Sequence, residues 1–427
     1  MMNIEEYLQS LETFGIKLGL SQTTELMTRA GYCIENGSKP YFIHIAGSNG
    51  KGSVGAMIQH ALHSAGMKVG FYTSPHLAFY NERIRINGVM ISDDELDVEF
   101  RQLYIHAEEM KKEGKFVTYF EFTTILALGY FLHNDVDFIV WETGMGGRFD
   151  STNIIIPAVS VITNIALEHC QYLGDTLEKI AFEKGGIIKE NIPVFCGMMP
   201  ENAGKTLQNI AEEKNAQFNI VKSAFPTTGM QDGLQMLATP SGMVKLNLSG
   251  EMQRKNFTLV YGILQYLSSE YGLDMDKMLA SMNTVSWPGR FQITAEGDIL
   301  DGGHNPDGIL ALTTALREIF PQEKFTFVFA SFEDKDTAAC LELLLPLAQK
   351  FCFVPLAAEH RPSCPPERLC KMIRNFDGNY NAVHIFSSLD EYLDSHDSDN
   401  SRKVFCGSLY LLGEYFRHHG FEMLNKI

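Results

Sequence analysis

The 427-residue chain reads as α/β, folded as two doubly wound α/β domains of unequal size. Three observations predict this. Short apolar runs at 41–46, 136–141 and 158–163 alternate with segments of helical period, the pattern of a buried parallel sheet covered by helices. A glycine-rich turn, Gly47-Ser48-Asn49-Gly50-Lys51-Gly52-Ser53, joins one of these strands to a helix. The stretch Trp287-Pro288-Gly289-Arg290 then separates the first alternation from a second, so the domains are expected at 1–287 and 288–427.

Taken in order, residues 1–29 have largely helical spacing, and a loop through Asn36-Gly37-Ser38-Lys39-Pro40 leads into the strand at 41–46. Met57, Ile58, Ala61, Leu62 and Ala65 place a helix after the glycine-rich turn. A strand over 68–73 stops at Ser74-Pro75-His76, and 83–91 alternates about Asn87-Gly88, a hairpin signal. Ser92-Asp93-Asp94-Glu95 caps a helix to about residue 112. Helices at 120–132 and 177–188 and a strand at 193–196 extend the alternation. Gly, Thr and Ser enrichment over 217–250 predicts a β-rich excursion, and helices at 252–268 and to about 283 close the first domain. In the second domain, strands are expected near 299 and at 325–330, 351–355, 382–386 and 403–406. Helices are expected at 307–319, 337–347 and 366–373.

Composition narrows the function. Hydrophobic residues at 45% with 20% charged fit a globular protein, and a net charge of -17 argues against non-specific binding to nucleic acid or anionic membranes. The acidic start Met1-Met2-Asn3-Ile4-Glu5-Glu6 lacks a signal-peptide layout, and no apolar run is long enough for a membrane span. Eight scattered cysteines without a Cys-x-x-Cys pair fit reduced thiols, so a cytoplasmic protein is expected.

The glycine-rich turn carries the strongest chemical signal. Glycines let backbone N–H groups converge on an anion, and a following helix N-terminus adds partial positive charge. Lys51 supplies a cation for outer phosphates and Ser53 a hydroxyl for phosphate or Mg²⁺. The spacing departs from the common pattern: Gly47 stands two residues before Gly50, and Gly52 separates Lys51 from Ser53. An ordinary strand-to-helix turn with a solvated lysine is the alternative. Glu142 follows a buried strand and opens Thr143-Gly144-Met145-Gly146-Gly147-Arg148-Phe149-Asp150; a lone carboxylate beside phosphates suffices for Mg²⁺, and a turn cap is the bland reading. His169 and Ser74-Pro75-His76 occupy other strand-end loops, and Lys184 ends a helix, where lysines complement the dipole. Asp301, His304 and Asp334-Lys335-Asp336 sit at the equivalent positions of the second domain.

Together these segments resemble the folylpolyglutamate synthase/dihydrofolate synthase family within the Mur ligase superfamily, over essentially the whole chain and in order. The markers are Ala46 to Ser53, Thr73-Ser74-Pro75-His76-Leu77, Glu142 to Asn153, Glu168-His169 with Leu173-Gly174, and Glu183-Lys184-Gly185-Gly186-Ile187. Pro288-Gly289-Arg290, Asp301 to Pro306, Asp334-Lys335-Asp336 and Gly407-Ser408-Leu409-Tyr410 complete them. Glu168 stands where the family usually has Asp, Gly303 where alanine is common, and Thr143 replaces an apolar residue.

The resemblance implies an N-terminal P-loop ATPase domain, a smaller C-terminal Rossmann-like domain, and ATP-dependent ligation of L-glutamate to a folate or dihydropteroate carboxylate. It implies that Asn49, Gly50, Lys51, Gly52, Ser53, Asn256, Arg290 and Asp301 bind ATP, and that Ser74, Glu142 and His169 hold Mg²⁺. Lys184 matches a lysine carried as a carbamate, and Lys51, Lys184 and His304 take catalytic roles. Thr118, Tyr119, Phe120, Glu121, Phe149, Asp150 and Ser151 would border the pterin substrate. Small-molecule substrates, no nucleic acid, no membrane and a monomeric state are expected. The alternatives are a Mur-type ligase on another carboxylate and a non-catalytic nucleotide switch; a switch would turn over without glutamate.

Overall fold

A computed structural model describes residues 4–12, 19–357, 361–395 and 401–425. The chain divides into two compact units. One comprises Met1–His76, Tyr80–Phe225 and Lys255–Met282; the other Leu77–Phe79, Pro226–Arg254 and Asn283–Ile427. The division is discontinuous, whereas the sequence suggests a single boundary at 287/288. Part of the β-rich excursion packs with the later residues although it precedes them in the chain.

The first unit is built on strands β1 (Tyr41–Ala46), β2 (Val69–Tyr72), β3 (Ile84–Ile86), β4 (Val89–Met90), β5 (Phe138–Glu142), β6 (Val159–Ile162), β7 (Val194–Cys196) and β8 (Phe218–Ile220). They form one sheet in the order β4-β3-β2-β5-β1-β6-β7-β8. From β2 to β8 the neighbours are parallel; β3 alone is reversed, pairing antiparallel with both β2 and β4. Asn87 and Gly88 both have positive φ (53° and 82°), which the two-residue turn between β3 and β4 requires. β1 lies between β5 and β6, with Tyr41 opposite Phe138 and Ile45 opposite Glu142.

Around this sheet lie α1 (Ile4–Glu12), α2 (Ser21–Arg29), α3 (Lys51–Ser64), α4 (Asp93–Lys112), α5 (Tyr119–His133), α6 (Cys170–Leu173), α7 (Leu177–Lys184), α8 (Glu201–Glu213), α9 (Glu251–Tyr271) and α10 (Met275–Ala280). Phe42, Tyr72, Ile139 and Trp141 share one buried cluster with Phe122, Ile125 and Phe131 of α5. α3 comes close enough that a Cβ at Gly55 would stand 2.6 Å from the Phe71 ring. Residues 13–18, part of the expected N-terminal helical stretch, lie outside the described residues.

Thr118 begins α5 with a capping box. Its side chain accepts from the Glu121 amide, and Glu121 Oε2 accepts from the Thr118 amide at 2.7 Å. Thr118→Ala is expected to destabilise the protein by about 1 kcal/mol, read as a lower urea midpoint at unchanged slope.

The second unit holds β9 (Thr227–Gln231), β10 (Leu234–Thr239) and β11 (Gly242–Leu246), a separate antiparallel sheet, together with β12 (Gln292–Ile293), β13 (Ile299–Leu300), β14 (Phe325–Phe329), β15 (Ala348–Phe353), β16 (Val383–Ile385) and β17 (Lys403–Cys406). The larger sheet runs β12-β13-β17-β14-β15-β16 and is parallel except at β12. Helices α11 (Pro306–Ile319), α12 (Thr337–Leu344), α13 (Pro366–Phe376), α14 (Leu389–Asp394), α15 (Leu409–His419) and α16 (Glu422–Asn425) accompany it.

Two expectations are corrected. The helix expected over 177–188 ends at Lys184 and tightens into a 3₁₀ turn over Gly185–Ile187. A Cβ at Gly186 would stand 2.4 Å from the Arg148 backbone, so this close approach demands glycine. Of the 217–250 excursion, β8 instead joins the main sheet. α8, for which the sequence expectations above name no element, carries an apolar face of Ala203, Leu207, Ile210 and Ala211.

Candidate active site

In an open parallel sheet the loops at the strands' carboxyl ends share a crevice. β1 ends there at Ala46, and the glycine-rich turn follows. Gly47 has φ 147° and Gly50 φ 87°. A Cβ at Gly47 would meet Thr163 Oγ1 at 1.9 Å, and one at Gly50 would meet Asn256 Oδ1 at 2.7 Å. The turn is braced from the loop after β6. Ser48 N donates to Asn164 O (3.0 Å), Asn49 N to Asn164 Oδ1 (2.7 Å), and Thr163 Oγ1 to Asn49 O (2.6 Å). No side-chain cap occupies the first turn of the 14-residue α3. Its leading N–H groups and dipole therefore suit an anion. Lys51, Gly52, Ser53 and Asn256 are thus brought together at one cradle.

Two lysines converge on its edge. Lys51 Nζ donates to Gly47 O at 2.9 Å, and Lys184 Nζ to the same oxygen at 3.0 Å. The Lys184 side chain is 2% exposed and forms an ion pair with Glu168 Oε1 at 2.7 Å. Burial and the nearby Lys51 charge push the Lys184 ammonium down to about 8, against the pull of Glu168. Burial would raise the Glu168 carboxyl, but the charge and hydrogen bond of Lys184, with Lys51 and Ser48, outweigh it and hold it below its ordinary value.

The expected metal set is distributed over three loops. Glu142 is buried at the end of β5, and its Oε2 accepts from Thr73 Oγ1 at 2.5 Å. Ser74 lies two residues past the end of the neighbouring β2. His169 is exposed, with φ 46°, at the start of α6. Among the described residues no three His, Cys, Asp or Glu side chains cluster as a metal centre.

The expected substrate residues divide into two kinds. The polar groups of Thr118 and Glu121 are engaged in the α5 cap, and Glu121 Oε1 also accepts from Thr23 at 3.3 Å; these residues shape the segment. Phe120 packs on the loop after β5, where a Cβ at Gly144 would stand 2.5 Å from its ring. Tyr119 lies under the Arg83 guanidinium, 5.4 Å from ring centre to Cζ. Phe149 is 45% exposed, while Asp150 and Ser151 are buried. Burial raises the Asp150 carboxyl, opposed by hydrogen bonds from Thr152, Met145 and Gly144.

In the second unit, Asp301 accepts from the Phe291 amide (3.0 Å) and the Gly303 amide (2.8 Å). Burial raises its carboxyl, with the Arg290 charge opposing. His304 Nδ1 lies 2.9 Å from Gly302 O, so Nδ1 carries the proton and Nε2 is the bare nitrogen. Burial lowers the His304 pKa, keeping the ring neutral.

Residues 45–263 match the Mur ligase middle domain, and residues 289–408 the Mur ligase glutamate ligase domain. A Bacillus subtilis protein named dihydrofolate synthase/folylpolyglutamate synthase is 32% identical over 418 residues, covering 94% of this chain and 95% of that one. This chain belongs to the folylpolyglutamate synthase/dihydrofolate synthase family of Mur ligases. Among solved structures, Thermotoga maritima folylpolyglutamate synthase superposes with a TM-score of 0.85 at 28% identity, covering 99% of both chains. The Escherichia coli FolC structure in complex with DHPP and ADP gives 0.81 at 27% identity, covering 98% of both. Members of the family are ATP-dependent ligases, and so is this protein.

For this ligase the donor chemistry of Glu142 and Ser74 fits Mg²⁺, a hard cation that accepts one or two protein oxygens and keeps several waters. Lys184 as an ammonium has no lone pair to offer and is not a metal ligand in that form. Thr73, Glu168 and the Gly47 carbonyl were not singled out as site residues from sequence. Glu168 carried a signal, as an acid beside His169, but its partner is 16 positions away in the chain. Among the described residues, no helix is long and apolar enough to cross a membrane.

Proposed function

We propose that this ligase joins L-glutamate to the carboxylate of a folate or dihydropteroate through an acyl phosphate, releasing ADP and phosphate. The convergence of Lys51 and Lys184 on Gly47, at the mouth of the phosphate cradle, carries this reading. A carboxylate is a poor acyl donor, so its oxygen must first take the γ-phosphoryl group of ATP. The cradle amides at Gly50 to Ser53 hold the phosphates. Lys51 places positive charge where the transferring group develops negative charge. The glutamate amine then attacks the acyl carbon, and phosphate leaves.

Ser74, Glu142 and His169 would hold Mg²⁺, which when bound neutralises phosphate charge and polarises the transferring group. Lys184 would join them as a carbamate, its depressed pKa supplying the neutral amine that takes up carbon dioxide. His304, with an unprotonated Nε2 able to accept a proton, would serve either the reacting phosphate or the incoming glutamate. Phe120, Tyr119 and Phe149 would flank the pterin, with Asp150 and Ser151 shaping the turn beneath it.

The deciding experiment is glutamate-dependent ADP release with dihydropteroate and, separately, with tetrahydrofolate. Turnover with both means a bifunctional enzyme, and turnover with tetrahydrofolate alone a polyglutamate synthase. ADP release that ignores glutamate and both pteridines overturns the reading. Glu142→Ala is expected to lower turnover by about 10²-fold or more and to raise the Mg²⁺ needed for half-activity. Near wild-type turnover at unchanged Mg²⁺ demand would remove Glu142 from the metal site.

A further inference from the structure

β1 contains a histidine that the proposed chemistry does not use. His44 is wholly buried, three residues before Gly47, paired in register with Trp141 of β5 and Ser160 of β6. Its Nε2 lies 2.9 Å from Thr152 Oγ1. Thr152 Oγ1 in turn lies 2.5 Å from Asp150 Oδ1, and the Thr152 amide donates to that same oxygen at 3.0 Å. Asp150 Oδ2 accepts from the Met145 amide at 2.8 Å.

The proton positions follow from donor arithmetic. The Asp150 carboxylate accepts at both oxygens, so the single Thr152 hydroxyl proton points to Asp150. Thr152 can then only accept from His44, which fixes the proton on Nε2. His44 Nδ1 is left buried and without a hydrogen-bond partner. Burial, with the Lys189 charge adding to it, pushes the imidazole down to about 3, so the ring is a neutral donor at physiological pH. A leucine would fill an apolar strand without leaving such a nitrogen, so packing alone does not account for a histidine here.

We propose that His44 is a positioning residue: through Thr152 it orients Asp150, which holds the turn at Gly144 and Met145 against Phe120, so the strand that carries the phosphate cradle also sets the pterin-facing turn. Two further contacts anchor the far side of this turn. Trp141 Nε1 donates to Thr152 O at 2.9 Å, and Asn153 Nδ2 to Arg148 O at 3.0 Å. The inference rests on the reading of this turn as the pteridine border.

The test compares His44→Leu and Thr152→Val, which break the relay, with His44→Gln and Thr152→Ser, which keep a donor or hydroxyl in place. The breaking variants are expected to raise KM for the pteridine substrate about tenfold while leaving KM for ATP within about twofold. The conservative variants should stay near wild type for both. Equal rises in the two KM values would show a merely structural residue and overturn the inference, as would a pteridine KM unchanged in His44→Leu. If His44→Leu does not fold, the Thr152 pair decides in the same way. Pteridine-independent turnover of the wild type would overturn the folate reading as well, whereas a pteridine-dependent wild type with insensitive variants overturns the relay alone.

Discussion

Lys51→Ala is expected to lower kcat for glutamate-dependent ADP release by about 10²–10³-fold. Lys51 opens α3, with its ammonium 2.9 Å from Gly47 O at the edge of the cradle. Cradle amides bind the phosphates in the ground state and the transition state alike. A mobile cation at the outer phosphate instead follows the charge that grows as the phosphoryl group transfers. Its loss therefore falls mainly on kcat, with a smaller change in KM for ATP. Lys51→Arg should recover only part of the rate, because a planar guanidinium does not replace a compact ammonium inside a glycine turn. Steady-state kinetics with circular dichroism as a folding control checks this. A Lys51→Ala enzyme within a few-fold of wild type would exclude the assigned role.

Lys184→Arg is expected to cost about 10²-fold or more in turnover, although it keeps the positive charge. Arginine can hold Glu168 but cannot form the carbamate. The sign of the pH dependence follows from the lowered pKa. Carbon dioxide adds only to the neutral amine, releasing a proton, and with a pKa of about 8 roughly a tenth of the molecules are neutral at pH 7. An unperturbed lysine would be neutral far more rarely. Enzyme stripped of carbon dioxide should therefore regain activity with bicarbonate, faster as pH rises through 8. Intact mass of active wild type should exceed the sequence mass by one carbon dioxide, and Lys184→Arg should not. A free amine in fully active enzyme would refute carbamylation. Carbamate formation also removes the cation that Glu168 now pairs with, so carbamate and Mg²⁺ should each favour the binding of the other.

Much of the fold was legible because buried parallel strands are written as unbroken apolar runs. Residues 136–141 and 158–163 pointed to β5 and β6 for that reason, with the observed strands shifted by one or two residues. The Asn87-Gly88 turn was equally clear, since few residue pairs accept two positive φ angles. α8 was legible in principle as well, since Ala203, Leu207, Ile210 and Ala211 stand at i, i+4, i+7 and i+8, the spacing of one helix face. Membership of β8 in the main sheet, and of β9–β11 in the other unit, was not readable because it depends on contacts between distant segments.

The site was legible where chemistry follows local order and obscure where it depends on distant partners. Gly47 to Ser53 announced a cradle, and Glu142 an acid at a strand end. Thr118 and Glu121 were grouped with the substrate residues, yet their spacing of three is also that of a capping box, and the structure engages both in the cap. His44 gave no signal, since one histidine in an apolar strand has no pattern of its own.

The sequence by itself determined the order and kind of most elements, the glycines that only a close-approaching turn needs, and the residue types available at each strand end. Periodicity and backbone preference are local, so neighbouring residues suffice to express them. The tertiary structure alone decided that Lys184 meets Glu168 and Lys51, that its ammonium is weakened by burial, and that His44 donates to Thr152 while carrying no charge. Proton affinity and hydrogen-bond direction depend on desolvation and on partners brought from far along the chain. Both exist only once the sheet has assembled.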